Sequence, residues 1–347
     1  MAAGKGKSMK RYAPLELSNQ EKLAYYNCEE NRPFFDYGTA GGWKKYEGNP
    51  VFGGEYATVF DVSVLREPDG EGRMIFRMWF SWRREQTIGY TESEDGIHWN
   101  EPVSVLKPLP GSDWEADEVN RPTVLHHEGK YMMWYTGQMG PGTEEGRSAI
   151  GLAESSDGIT WIRRREPVLK PEGGWEEQAA LCPTVLYDED DKLFKMWYAA
   201  GNNYEPDAIG YACSKDGIQW EKPCAEPVLA PDPSNPWESY KLVAPFAVKE
   251  DGWFYLFYVG HLLMERAQIG MARSSDGISG WEKHPENPLI SPDEGSEWDN
   301  MSAFKPSVCK VGDTWMLWYN GAYCDEEEWM KEQIGLAVLK RNEPGFW

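Results

Sequence analysis

The sequence predicts an all-β fold, a five-bladed β-propeller with four antiparallel strands in each blade. Two observations predict it. Four turns read alike, SEDGIHW (93–99), SSDGITW (155–161), SKDGIQW (214–220) and SSDGISGW (274–281), and their Asp-Gly pairs begin at Asp95, Asp157, Asp216 and Asp276, steps of 62, 59 and 60 residues. Each turn follows an Ile-Gly strand (IGYTE, IGLAE, IGYAC, IGMAR), and a fifth copy, IGLAVLK (334–340), lacks the turn. Asp-Gly between two β-rich runs is a hairpin signal, because glycine takes positive φ without steric penalty. A fixed period of this length is the mark of a repeat architecture, and a β-sandwich would not produce it.

The other strands follow in order. Before each Ile-Gly strand comes FRMWFSW (76–82), YMMWYTG (131–137), FKMWYAAG (194–201), FYLFYVG (254–260) or WMLWYNG (315–321). Before that lies the innermost strand: FDVSV (60–64), NRPTVL (120–125), LCPTVL (181–186), VAPFAV (243–248) and FKPSV (304–308). After the turn comes an outer strand ending PVSVLKP, PVLKP, PVLAP or PLISP. The fifth copy stops after its third strand, while WKKYEGNPVF (43–52) matches WEKHPENPLI (281–290) with the same six-residue Trp-to-Asn spacing. The early segment is therefore the missing fourth strand of blade five, and it closes the ring without a free sheet edge. Blades are expected at about 55–108, 114–171, 175–231, 237–292 and 298–340 plus 43–52, giving a propeller over 43–347. An N-terminal arm, 1–42, precedes it, with SNQEKLAYYN (18–27) read as a short helix.

A formal net charge of −22 over 347 residues argues against nucleic acid or an anionic membrane as the main partner. Eighteen Trp and eighteen Tyr suit strand faces and sugar clefts alike. The six cysteines form no CxxC pair and the histidines do not cluster, so neither a metal site nor a cofactor is expected. No signal-peptide core and no membrane-length apolar run is present, and a cytoplasmic protein with reduced thiols is the expectation.

Comparing the blades with one another separates fold from function. Residues repeated in every blade serve the architecture; this covers the DGxxW turns and the tryptophans Trp114, Trp175, Trp237 and Trp298, spaced by 61, 62 and 61. Residues that differ at matching places are free to act. On the innermost strands these are Asp61, Arg121, Cys182, Ala244 and Lys305. Charged groups there must be paired or face a wet pocket, so Asp61, Arg121 and Lys305 are either an ion network or the lining of an axial ligand site. The same face receives Glu55, Tyr56, Glu118, Asn120, Glu177, Tyr240 and Lys241 before the inner strands, and Arg83, Gln138, Asn202, His261 and Tyr323 after the second strands.

Five such blades with SxDGxxW turns and MWYxG strands resemble the five-bladed propellers of glycoside hydrolase families 43, 32, 68 and 130, over about residues 43–340. The resemblance implies an enzyme acting on glycosidic bonds, with a small-molecule sugar or glycoside as partner. It implies Asp61 as base or nucleophile. Where those families carry a second-blade Asp, this chain has Arg121, and where they carry the third-blade Glu acid it has Leu181. Glycoside hydrolysis uses two carboxyl groups, so the second is sought in Glu118, Glu177 or Glu55. The stretch EVNRPTVLHHEGKYMMWYTG (118–137) resembles family 130 phosphorylases, which implies phosphate held by Arg121, Lys305 and His261. Arg121 and Lys305 are thus expected to bind an anionic or polyhydroxylated group, assisted by Asn120, Tyr56, Tyr240, Lys241, Gln138, Asn202 and His261. Two readings stand beside the enzyme: a non-hydrolytic sugar- or anion-binding propeller, and a propeller recruited to other chemistry in a biosynthetic pathway.

Overall fold

The computed structural model describes residues 38–139, 147–202, 205–263, 266–293, 295–323, 330–340 and 347. The helix expected at 18–27 and most of the arm 1–42 lie outside these residues. Among the described residues the regular structure is strand, apart from three single-turn 3-10 helices.

Each repeat is an antiparallel meander. The first comprises β2 (Val59–Pro68), β3 (Met74–Trp82), β4 (Thr87–Ser93) and β5 (Val103–Leu106); the second β6 (Glu118–His127), β7 (Lys130–Gln138), β8 (Ser148–Ser155) and β9 (Ile162–Arg163). The third has β10 (Ala179–Asp188), β11 (Leu193–Asn202) and β12 (Glu205–Ser214), and the fourth β13 (Lys241–Glu250), β14 (Trp253–Leu263), β15 (Arg266–Ser274) and β16 (Glu282–Lys283). In the third, the expected outer strand is reduced to bridges, Cys213 with Glu221 and Ile209 with Leu229; Pro223 and Pro227 in that stretch offer no ladder donor. A parallel bridge between Ser148 and Ala179 joins repeats two and three.

The last meander is β17 (Ser302–Val311), β18 (Thr314–Tyr323) and β19 (Lys331–Lys340), and its fourth strand is β1 (Lys44–Lys45). Lys44 pairs with Val338 and Lys45 with Ala337, as Glu282 pairs with Arg273 and Lys283 with Ala272 in repeat four. The matched asparagines behave alike too. Asn49 donates to the Leu336 carbonyl at 3.0 Å and accepts its amide at 2.8 Å; Asn287 does both with Met271, each at 2.9 Å. The two segments share a sequence because they make the same backbone bonds.

The repeated residues turn out to be seams between neighbours. In Ser-x-Asp-Gly, the Ser155 hydroxyl accepts the Asp157 and Gly158 amides, and Asp157 Oδ1 accepts those of Ile159 and Thr160. The amides of Thr160 and Ile159 hold the Asp157 carboxyl below the usual carboxylate range. Gly158 has φ of 78°, and its carbonyl accepts the indole N–H of Trp79 from the preceding repeat at 2.8 Å. Trp134 does the same to Gly217, Trp197 to Gly277 and Trp318 to Gly96. Repeat four has Phe257 at the tryptophan position, and the fifth copy lacks the turn; there Phe257 packs edge-on against Trp43, at 6.0 Å between centroids.

A buried acid follows each of Trp114, Trp175, Trp237 and Trp298. Glu115, Glu176, Glu238 and Asp299 accept the hydroxyls of Tyr135, Tyr198, Tyr258 and Tyr319. Each is also paired with a cation from the outer strand or segment: Arg163, Lys222, Lys283 and Lys45 respectively. Repeat one has Phe80 in place of the tyrosine, so its side chain has no hydroxyl to donate to such an acid.

Candidate functional site

The innermost strands carry the same distortion at the same place. In β2, Phe60 pairs with Ser81 and Ser63 with Trp79, so Asp61 and Val62 together oppose one residue, Phe80. The equivalent shifts fall at Arg121–Pro122, Cys182–Pro183, Ala244–Pro245 and Lys305–Pro306. Asp61, Arg121, Cys182 and Ala244 have φ of 50°, 52°, 50° and 50°, and Lys305 of 29°. A bulge re-aims a side chain, and proline is tolerated there because the ladder is already interrupted. The left-handed backbone is unfavourable for residues with a Cβ. In three repeats a side chain of the preceding second strand takes up the displaced amide: Asn320 Oδ1 that of Asp61 (3.2 Å), Ser81 Oγ that of Arg121 (2.8 Å) and Thr136 Oγ1 that of Cys182 (3.0 Å). The matching residues in repeats three and four, Ala199 and Val259, have no such acceptor.

These bulges surround a cavity of about 1250 Å³. Asp61, Arg121, Cys182 and Ala244 line it, with Glu118, Gln138, Lys241, His261 and Glu332 among the polar groups. Asp61 Oδ2 lies 3.3 Å from Arg121 Nε. The Arg121 Nη1 donates to Asn120 Oδ1 at 2.8 Å and to Gln138 Oε1 at 2.9 Å, and Asn120 Nδ2 bonds the same Gln138 oxygen. Gln138 in turn donates to Ser148. The guanidinium is thus held in a fixed plane facing the carboxylate.

Burial pushes the Asp61 carboxyl above its usual range, opposed by the charges of Arg121, Lys305 and Arg83. Burial pushes the Cys182 thiol up to about 11, against the pull of Arg121, and lowers the Lys305 ammonium. Lys305 is 1% exposed, donates to the Pro183 carbonyl at 3.3 Å and is not part of the lining. It acts on Asp61 and Cys182 through the wall.

The structure sorts the residues singled out from the sequence. It brings Asp61, Glu118, Asn120, Arg121, Gln138, Lys241, His261 and Arg83 to the cavity. Tyr56, Tyr240, Tyr323, Glu55, Glu177 and Asn202 are not in its lining. Glu177 and Asn202 are exposed, and Tyr56 stacks on Phe52 and meets Trp82 edge-on instead. Cys182, Cys213, Cys224 and Cys309 are free thiols; Cys28 and Cys324 lie outside the described residues. Among the described residues no group of three His, Cys, Asp or Glu is placed to hold a metal.

Among the cavity residues that the sequence reading did not single out, one is a buried acid. Glu332 on β19 is 4% exposed and accepts a hydrogen bond from Asn320 Nδ2 at 2.7 Å. Burial pushes its carboxyl up to about 7, with Arg83 opposing and Asp61 reinforcing. The signal was available in the third strands: two residues before the repeated Ile stand Gln86, Ser148, Asp207, Ala267 and Glu332. Comparison between repeats, extended from the innermost strands to these, exposes the glutamate.

Glycosyl hydrolases family 43 matches residues 48–328. An uncharacterized protein of Mycobacterium tuberculosis is 28% identical over 179 residues, 51% of this chain and 57% of that protein. A 1,2-beta-oligomannan phosphorylase of Thermoanaerobacter sp. (strain X514) is 26% identical over 225 residues, 63% of this chain and 69% of the phosphorylase. The chain spans about half the length of the first curated relatives it matches. The crystal structure of a thermostable family-43 glycoside hydrolase superposes with a TM-score of 0.66 at 19% identity, over 83% of this chain and 91% of that one; at that identity the likeness concerns the fold. With most of its length matched to one family, meanders of the family's fold and the bulged inner strands around one cavity, this chain belongs to glycosyl hydrolases family 43.

Proposed function

We propose that the chain is a carbohydrate-active enzyme that cleaves or transfers a glycosidic bond in the cavity at the axis of a five-bladed propeller, formed by residues 43–347. The indole-to-turn bonds run from repeat one to two, two to three, three to four and five to one, and Phe257 with Trp43 supplies the remaining seam. That sequence of contacts, with β1 completing the fifth meander, supports five blades and a closed ring. Among the described residues no helix is long and apolar enough to cross a membrane, and the free thiols fit a reducing, cytoplasmic setting.

The observation that carries the reading is Asp61, aimed into the cavity by its bulge and oriented by Arg121. Asp61 activates the nucleophile at the anomeric carbon. Arg121 is spent on protein partners, so it positions Asp61 more than it binds substrate. Arg83 and Lys241 in the lining suit a polyhydroxylated or anionic ligand, including phosphate; the similarity to an oligomannan phosphorylase favours testing phosphorolysis beside hydrolysis. A sugar-binding protein without turnover is the second reading, favoured by Leu181 in the cavity wall where related propellers carry an acid. Aryl glycosides incubated with and without inorganic phosphate separate the two. Turnover supports the enzyme, and saturable binding without turnover supports the binding protein.

A further inference from the structure

We infer that Glu332 is the proton donor for bond cleavage in this cavity, so that the acid comes from the third strand of the fifth repeat; the inference rests on the glycosidic reading above.

A donor must reach the leaving oxygen, carry a proton at working pH and stand close to the group that activates the nucleophile. Of the acids offered by the sequence, Glu177 is exposed and outside the cavity. Glu115, Glu176, Glu238 and Asp299 are consumed by tyrosines and cations. Glu118 lines the cavity but is only half-buried, and among the described residues no hydrogen bond fixes its carboxyl beside Asp61 as Asn320 fixes that of Glu332.

Glu332 meets each requirement. It lines the same cavity as Asp61. Its Oε1 is fixed by Asn320, while Oε2 lies 3.9 Å from Arg83 Nη2, beyond hydrogen-bond distance. Arg83 is over half exposed, so its charge is screened and offsets the burial of the carboxylate only in part. Asp61 adds negative charge to the surroundings and Arg121 opposes it. The result is a carboxyl group that keeps its proton near neutrality, as the raised value shows. The same Asn320 side chain holds both partners, donating to Glu332 and accepting the amide of Asp61. One residue thus links the carboxyl of the donor to the bulged backbone that carries the base.

In the step, Glu332 gives its proton to the glycosidic oxygen as the bond from that oxygen to the anomeric carbon breaks. The bonding pair stays on the departing oxygen, which leaves as an alcohol. Water adds to the anomeric carbon and passes a proton to the Asp61 carboxylate. Glu332 ends ionised and Asp61 protonated, and exchange with solvent restores both.

The test compares wild type, Glu332→Gln and Glu118→Gln on 4-nitrophenyl and 2,4-dinitrophenyl mannosides and arabinosides, and on methyl glycosides of the same sugars, with and without phosphate. A missing donor hurts poor leaving groups most. Glu332→Gln should lose about 10²–10⁴ in kcat on methyl glycosides and under tenfold on dinitrophenyl glycosides. Because both substrates meet the same variant, a folding defect cancels from the ratio. The fall in wild-type kcat as pH rises through about 7 should also disappear on dinitrophenyl substrates in the variant. Equal losses on both substrate classes, or the selective loss appearing in Glu118→Gln, overturn the assignment while leaving the glycosidic reading intact. No wild-type turnover on any substrate overturns that reading and the donor role with it.

Discussion

The guanidinium of Arg121 lies 3.3 Å from the Asp61 carboxylate across the seam between the first and second repeats, and two further side chains, Asn120 and Gln138, keep it there. Asp61→Asn removes the carboxylate but leaves the backbone bond to Asn320. Turnover of an aryl glycoside should fall about 10²–10⁴-fold with an unchanged circular dichroism spectrum. Retained kcat would remove Asp61 from the mechanism.

Arg121→Gln strips the nearest counter-charge from a buried carboxylate. We expect a loss of about 3–5 kcal/mol in urea denaturation at pH 7. At pH 4 the loss should shrink, because the raised Asp61 carboxyl is more fully protonated there. A pH-independent cost would show that Arg121 contributes packing and not charge.

Glu332 links stability to pH. Its carboxyl stands near 7 in the folded chain against 4.5 as the ordinary value, so the native state binds the extra proton between these limits. Its stabilising effect is complete below pH 4.5 and is lost as pH rises through about 7. Glu332→Gln, which carries no such proton, should therefore gain on wild type across that window by about 3 kcal/mol. Parallel stability curves from pH 4 to 8 would contradict the raised value.

Lys45 tests the join between the two ends of the described chain. Its ammonium lies 2.7 Å from Asp299, whose side chain is fully buried. Lys45→Met should cost about 3 kcal/mol by leaving that charge unpaired. The companion change Lys283→Met, facing Glu238 at 2.6 Å, should cost a similar amount. A neutral Lys45→Met would mean that the β1 pairing contributes little.

Phe257→Trp restores the tryptophan found at this place in the other four repeats, as Trp79, Trp134, Trp197 and Trp318. It should nevertheless destabilise, by about 1–3 kcal/mol in thermal or urea unfolding, because Trp43 already fills the space that the missing turn vacates. A stabilised variant would show room left at that seam.

The repeating features were legible because they are local. The Ser-x-Asp-Gly turn is built from residues within five positions of one another, and the strands around it alternate as short β runs must. The outer pairing of 43–52 was legible as well, since Trp43 and Asn49 stand where Trp281 and Asn287 stand and make the same bonds. Only the third repeat's outer strand fell short, where two prolines thin the ladder.

The site was half-legible, and the division has a physical cause. That Asp61 and Arg121 face one cavity followed from their places on equivalent strands. Which neighbours join them depends on how far each side chain reaches and what it meets on the way, and a strand pattern carries no such information. Lys305, on the same bulge, turns into the wall and bonds a backbone carbonyl. Glu177, four residues before its strand motif, ends in solvent. Glu332 arrives from a third strand because Asn320 of the adjacent strand draws its carboxylate inward. Periodic strands and turns are set by bonds between near neighbours along the chain, whereas the chemistry of the cavity is set by contacts between different strands and different repeats, up to 259 positions apart, which exist only once the sheets have packed.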